Sequence, residues 1–253
     1  MADTRFTLVD RLDGVSEWRH RDNGLALLVW PTPVAPVVGF GVVYRVGSRH
    51  EVTGHTGATH ILEHLMFKGS RRFNRESGTE IARVLHRVGA SFNATTWLDR
   101  TSYYEVLPVE QLPLAVDVEA DRMRGALVRD EDLESERTVV LNELEMGENE
   151  PFELLMKSAF AQAYLEHPYR HPTIGWRGDV ESVTGEVLRR FYDTYYHPDN
   201  ATAIVVGDID EAAALAAVAR GFGGIPPKGD GGFPASSGRE GEQAGDLALA
   251  ARV

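Results

Sequence analysis

The chain has 253 residues, 43% of them hydrophobic and 25% charged, with a formal net charge of −12 and no cysteine. That length allows one large or two modest domains around a sizeable core. The lack of cysteine excludes disulfides, iron–sulfur clusters, thiolate zinc sites and a cysteine nucleophile, and the acidic balance argues against nucleic acid or an anionic membrane as a partner.

The opening MADTRFTLVDRLDG has neither a basic n-region nor an apolar stretch, and no segment reaches the ~18 apolar residues of a membrane helix. A cytoplasmic location is expected, with a processed exported protein as the alternative. Residues Gly24 to Pro31 and Pro36 to Ser48 read as Val-rich strands punctuated by PTPVAP. Helical patterns follow over 56–67 and 76–88, the second stopped by Gly89. ASFNATTW and TSYYEVLP form a hairpin about Leu98, Asp99 and Arg100. Three helical segments come next, EQLPLAVDVEADRMRG, RDEDLESERTVVLNELEMGEN and PFELLMKSAFAQAYLEH, and HPYRHPTIGWRGD reads as a loop. ESVTGEVLRRFYDTYY is a helix started by Ser182 or Thr184, NATAIVVGDID a buried strand and DEAAALAAVARGF a last helix. The pattern predicts an α+β fold, a largely antiparallel sheet with helices packed on one face. Residues 1–220 form the expected domain; 221–253, dense in Gly, Pro and Ser, read as a linker or disordered tail.

Within TGATHILEHLMFKG, His60 and His64 lie one helical turn apart, about 40° around the axis, so their rings can meet at one point. Glu63 lies about 60° to the other side of His60 and borders that point. The rest of the helix is apolar, so the three polar groups are expected to be buried and to need partners, and a divalent cation supplies the charge a buried carboxylate lacks. Two imidazoles at i and i+4 commonly hold zinc. An open zinc site needs a third ligand, here His or a carboxylate. In LESERTVVLNELEMGE, Glu136 and Glu143 project within about 20° of each other, along a stripe shared with Val139, Val140, Leu133, Leu144 and Met146. Carboxylates on an apolar stripe are rare, and both are expected to face the histidines' cation. His20, His50, His55, His86 and His197 read as surface or loop residues, and the glycines of GHTGATH as a turn into the helix.

HILEH followed by ERTVVLNE resembles the inverzincin metallopeptidases of the pitrilysin/insulinase family, which includes the mitochondrial processing peptidases. NATTWLDRTSYYEVLP, HPYRHPTIGWRGDVESVT and YYHPDNATAIVVGDID are also similar to segments of that family, so the resemblance spans roughly residues 12 to 220. It implies that His60, His64 and Glu143 bind Zn²⁺, that Glu63 is the general base, and that Glu136 is a supporting carboxylate. It implies too that SFNATT is an edge to which an extended peptide substrate adds as a strand, at Asn93 and Ala94. Members of the family usually carry a second, homologous domain, in the same chain or a partner, that helps to enclose substrate; none is visible in this sequence. The resemblance therefore implies a zinc endopeptidase or its catalytic half. The alternative is a non-catalytic or partner-dependent subunit of a pitrilysin-fold complex, though such subunits usually show a damaged motif, whereas here the five residues are intact. A related thioether-lyase fold shares His-x-x-Glu-His but needs a Cys ligand, which this chain lacks.

Overall fold

The computed structural model describes residues 3–229. The strands are β1 (Phe6–Leu12), β2 (Val15–His20), β3 (Ala26–Pro31), β4 (Val37–Tyr44), β5 (Ser91–Thr96), β6 (Thr101–Pro108) and β7 (Ala201–Gly207). The helices are α1 (Ala58–Leu65), α2 (Ile81–Arg87), α3 (Leu112–Gly125), α4 (Asp130–Glu148), α5 (Pro151–Ala163), α6 (Arg177–Ser182), α7 (Gly185–Tyr195) and α8 (Glu211–Phe222). One seven-stranded sheet runs in the order β1-β2-β3-β7-β4-β6-β5. Every pairing is antiparallel except β3 with β7, which is parallel. Val38, Phe40, Val42 and Tyr44 of β4 are buried and alternate with more exposed residues. Alternation of this kind marks a sheet with one covered face. The covering helices α3 and α8 pack on each other and on the strands.

The fold class is as the sequence predicts, with three local differences. The first 20 residues carry an unanticipated hairpin, β1 and β2, joined at Asp13 and Gly14, both with positive φ. Asp-Gly is the usual sequence of such a turn. The helix expected over 76–88 is only Ile81–Arg87. Ahead of it, the Asn74 side chain accepts from the Ser77 amide and donates to Ser70, which holds the segment in a turn. The predicted loop through Asp179 contains α6, which ends at Val183; α7 then starts from Thr184, whose side chain accepts from the Val187 amide. His20 is not a surface residue: it is 1% exposed, lies edge-on to Phe6, and its Nδ1 faces the amides of Asp22 and Asn23. The chain continues past residue 220 into the fully buried Phe222 of α8; of the expected linker, residues 230–253 lie outside the described residues. Among the described residues no helix is long and apolar enough to cross a membrane.

α1 packs between α4, α7 and β5. Ile61, Leu62, Leu65 and Met66 are at most 1% exposed, and each such side chain contributes roughly 1.5–3 kcal/mol by leaving water. The residue before the helix, Gly57, has φ +84 and no side chain to act as a cap. Its amide and that of Thr59 donate to the Glu51 carboxylate at 2.8 and 2.7 Å. This supplies from outside the helix the acceptors its first turn lacks.

Burial pushes the Glu51 carboxyl up to about 7, against the lowering pull of the Thr59 and Gly57 amides. A folded pKa above the ordinary 4.5 means that this group's stabilisation is full below that value and is lost as pH rises through about 7. Between about pH 5 and about pH 8, wild type is expected to lose on the order of 2 kcal/mol relative to Glu51→Gln, read by urea denaturation. A stability difference that stays constant with pH would contradict this.

Candidate metal centre

The i, i+4 spacing on α1 brings the His60 and His64 rings together with centroids 4.8 Å apart and planes at 78°. α4 crosses opposite them. Glu143 Oε2 lies 3.7 Å from His60 Nε2 and 3.7 Å from His64 Nε2. Among the described residues this trio is the one group of three possible metal ligands whose donor atoms all fall within 4.8 Å of one another.

The separations fit a cation. They are too long for hydrogen bonds, yet two ligands each about 2.1 Å from a tetrahedral zinc sit about 3.4 Å apart. Burial, with the neighbouring His64, depresses the His60 pKa to about 4 and keeps its ring neutral, the form that binds metal. Its Nδ1 is buried without a hydrogen-bond partner. Two nitrogens and one oxygen, with no sulfur, are the donor set of an open zinc site.

The apolar stripe expected along α4 is only partly buried. Glu136 is 6% exposed, but the Glu143 side chain is 41% exposed, and Val139 and Met146 are exposed as well. Near its end α4 lies beside α5, in which no residue is buried. Glu143 therefore sits on the rim of the site and Glu136 beneath it.

Beneath the rim, His64 Nδ1 and Glu136 Oε2 are 3.0 Å apart, and Lys68 Nζ is 2.5 Å from Glu136 Oε1. Burial raises the Glu136 carboxyl, but the bonds from Lys68 and His64 outweigh it and hold the group below its ordinary value. An ionised Glu136 accepts a hydrogen bond from Nδ1–H, which leaves the Nε2 lone pair on the side of Glu143. Lys68 is not a ligand type and reaches only the Glu136 carboxylate; its place in FKG, four residues after His64, is the available signal.

Glu63 is 9% exposed. Its Oε2 accepts from the Thr96 hydroxyl on β5, and burial raises its pKa. Asn93 and Ala94 lie outside the ligand cluster on that same strand. β5 is the sheet's edge and pairs only with β6 among the described residues. Asn93 is exposed, and its side chain accepts from the Ala94 amide at 2.9 Å. A cavity of about 460 Å³ opens beside Glu143, walled by Trp97, Leu98, Phe152, Met156, Phe160 and Ile174.

Known proteins are similar to this chain in sequence and fold. The family model for insulinase, peptidase family M16, matches residues 28–174, and that for the peptidase M16 inactive domain matches 182–246. The uncharacterised zinc protease SCO5738 of Streptomyces coelicolor is 32% identical over 85% of this chain and 47% of its own length. The zinc protease PqqE of Helicobacter pylori is 33% identical over 74% of this chain and 42% of its own. The crystal structure of a protease from Helicobacter pylori superposes with a TM-score of 0.83 at 28% identity, over 89% of this chain and 54% of that one. The chain thus spans about half the length of the curated relatives it matches.

Titration with zinc in the presence of a chromophoric chelator is expected to show about one ion per chain. His60→Ala or His64→Ala should abolish this uptake, and Glu136→Gln should weaken it about 10- to 100-fold. Stoichiometric metal in both histidine variants would remove the basis of the site.

Proposed function

Because the chain belongs to the insulinase family of peptidases, family M16, we propose that it carries the catalytic half of a zinc-dependent endopeptidase acting on extended peptides. The observation that carries this reading is the meeting of His60, His64 and Glu143 from two separate helices at 3.7 Å separations. The names of the relatives, zinc proteases, support the choice of metal. Zinc held by these three residues supplies an acidified water and a Lewis acid for the scissile carbonyl.

The chain's own groups do the rest. Glu136 and Lys68 fix the His64 ring. Glu63 is the general base: Thr96 occupies its Oε2, and Oε1 takes a proton from the attacking water and passes it to the leaving amine. Burial raises the affinity of this carboxyl for the proton it must carry. The strand that positions Thr96 is the free edge β5, so a peptide that adds to β5 beside Asn93 and Ala94 runs past Glu63. The apolar cavity next to Glu143 accepts one of the peptide's side chains. The residues up to Phe222 of α8 form the catalytic domain, and a second, homologous domain, in the same chain or a partner, closes over the substrate. The half-length coverage of the relatives supports a second domain.

Cleavage of an internally quenched peptide, by the chain alone and mixed with a homologous second domain, tests the reading. Chelator is expected to stop hydrolysis. Glu63→Gln should keep its zinc and lose on the order of 10²- to 10⁴-fold in rate. Unchanged turnover in that variant would rule Glu63 out as the base, and cleavage that survives chelation would rule out the metal.

A further inference from the structure

The stretch TIGWRGDVESV, apart from Ile174 in the cavity wall, has no part in the chemistry above, yet it touches both ligand-bearing helices. Towards α1, Asp179 Oδ2 accepts from the Thr56 amide at 3.1 Å, the Thr56 hydroxyl at 2.6 Å and the Gly54 amide at 3.2 Å. The Thr56 oxygen accepts in turn from the Trp176 amide at 2.9 Å. The two backbones are in direct contact: a Cβ on Gly57 would stand 2.6 Å from the Ile174 carbonyl oxygen, and one on Gly175 would stand 2.6 Å from that of Thr56. Towards α4, Arg137 donates through Nη1 to the Val180 carbonyl and through Nη2 to the Val183 carbonyl at 2.8 Å. Arg137 is the neighbour of Glu136, and Thr56 stands one residue before the Gly57 that opens the histidine helix.

We infer that α6 is a strut that sets the spacing between the two halves of the metal site, with Asp179, Thr56 and Arg137 as its positioning residues. The inference rests on the zinc reading above. α6 has six residues, too few to be stable alone. It is held by its neighbours, and its last carbonyls, which lack helical partners, are taken by the Arg137 guanidinium. α1 and α4 also touch directly, and His64 and Lys68 both bond to Glu136, but those bonds converge on one carboxylate, a single pivot that leaves Glu143, seven residues further on, the freedom to swing. A third body bonded to the start of α1 and to the middle of α4 removes that freedom. Glu143 needs it most, because its half-exposed side chain gets little from surrounding packing. Affinity for a three-ligand site depends on holding the donors at the right separation before the ion arrives.

The test is zinc affinity of the full chain, by competition with a chromophoric chelator, together with the visible spectrum of the cobalt-substituted protein. Asp179→Ala and Thr56→Val are expected to fold, to bind zinc about 10- to 100-fold more weakly, and to alter the cobalt spectrum. Asp179→Asn keeps an accepting oxygen and should restore most of the affinity. Val218→Ala, a core change in α8 where the side chain is 0% exposed, should lower stability and leave affinity unchanged, which separates positioning from general destabilisation. If Asp179→Ala fails to fold, Thr56→Val, which preserves volume, carries the test. Wild-type affinity in the folded strut variants overturns the strut and leaves the zinc reading standing. A wild-type chain that takes up no zinc overturns the zinc reading and the strut with it.

Discussion

The meeting of α1 and α4 is the constraint on which the site depends. α1 is anchored by Ile61, Leu62, Leu65 and Met66, all at most 1% exposed, so its imidazoles are fixed to the core. α4 brings two carboxylates to them, in different electrostatic situations. Glu136 has its own cation, Lys68, at 2.5 Å. Glu143 comes no nearer than 3.7 Å to either histidine, and among the described residues it has no other ion-pair partner. The unmatched carboxylate and the two Nε2 atoms thus form a space suited to a dication.

Charge is also managed behind the site. Arg122 is 1% exposed, donates to Glu119, lies 3.5 Å from Glu105 and stacks over Tyr103 and Phe67. It ties α3 to β6 and to the residues just after α1. A fully buried charge is tolerated only when matched in this way, and removing one partner is costly. Glu63 is subject to this cluster as well. Burial raises its pKa, while Thr96, His64 and Arg122 pull it down. Glu63 and Glu136, seated on facing elements, are therefore displaced in opposite directions.

The parts of the site fixed by helical periodicity were legible in the sequence. The pairing of His60 with His64 and the shared direction of Glu136 and Glu143 follow from 3.6 residues per turn. How far each is buried does not, because that depends on neighbouring elements; Glu143 lies on the rim of a cavity left open beside α5, none of whose own residues is buried. The β1–β2 hairpin had a local signal, Asp13-Gly14, that strand patterning alone overlooks. α6 and Lys68 had little signal. Both act through bonds to residues distant in the chain, and tertiary context overrides local propensity in such short segments.

The placing of β7 has a consequence for how the molecule is made. β3 and β4 are consecutive in sequence yet unpaired, because β7 lies between them. Until residues 201–207 emerge from the ribosome, the nascent chain holds a β1-β2-β3 ribbon and a β4-β6-β5 ribbon with nothing to join them. Each exposes an inner border of unsatisfied amides and carbonyls, the kind of edge that recruits other chains. Assembly of this sheet therefore waits on a long-range closure by β7, and until it occurs the two ribbons keep borders that can recruit other chains.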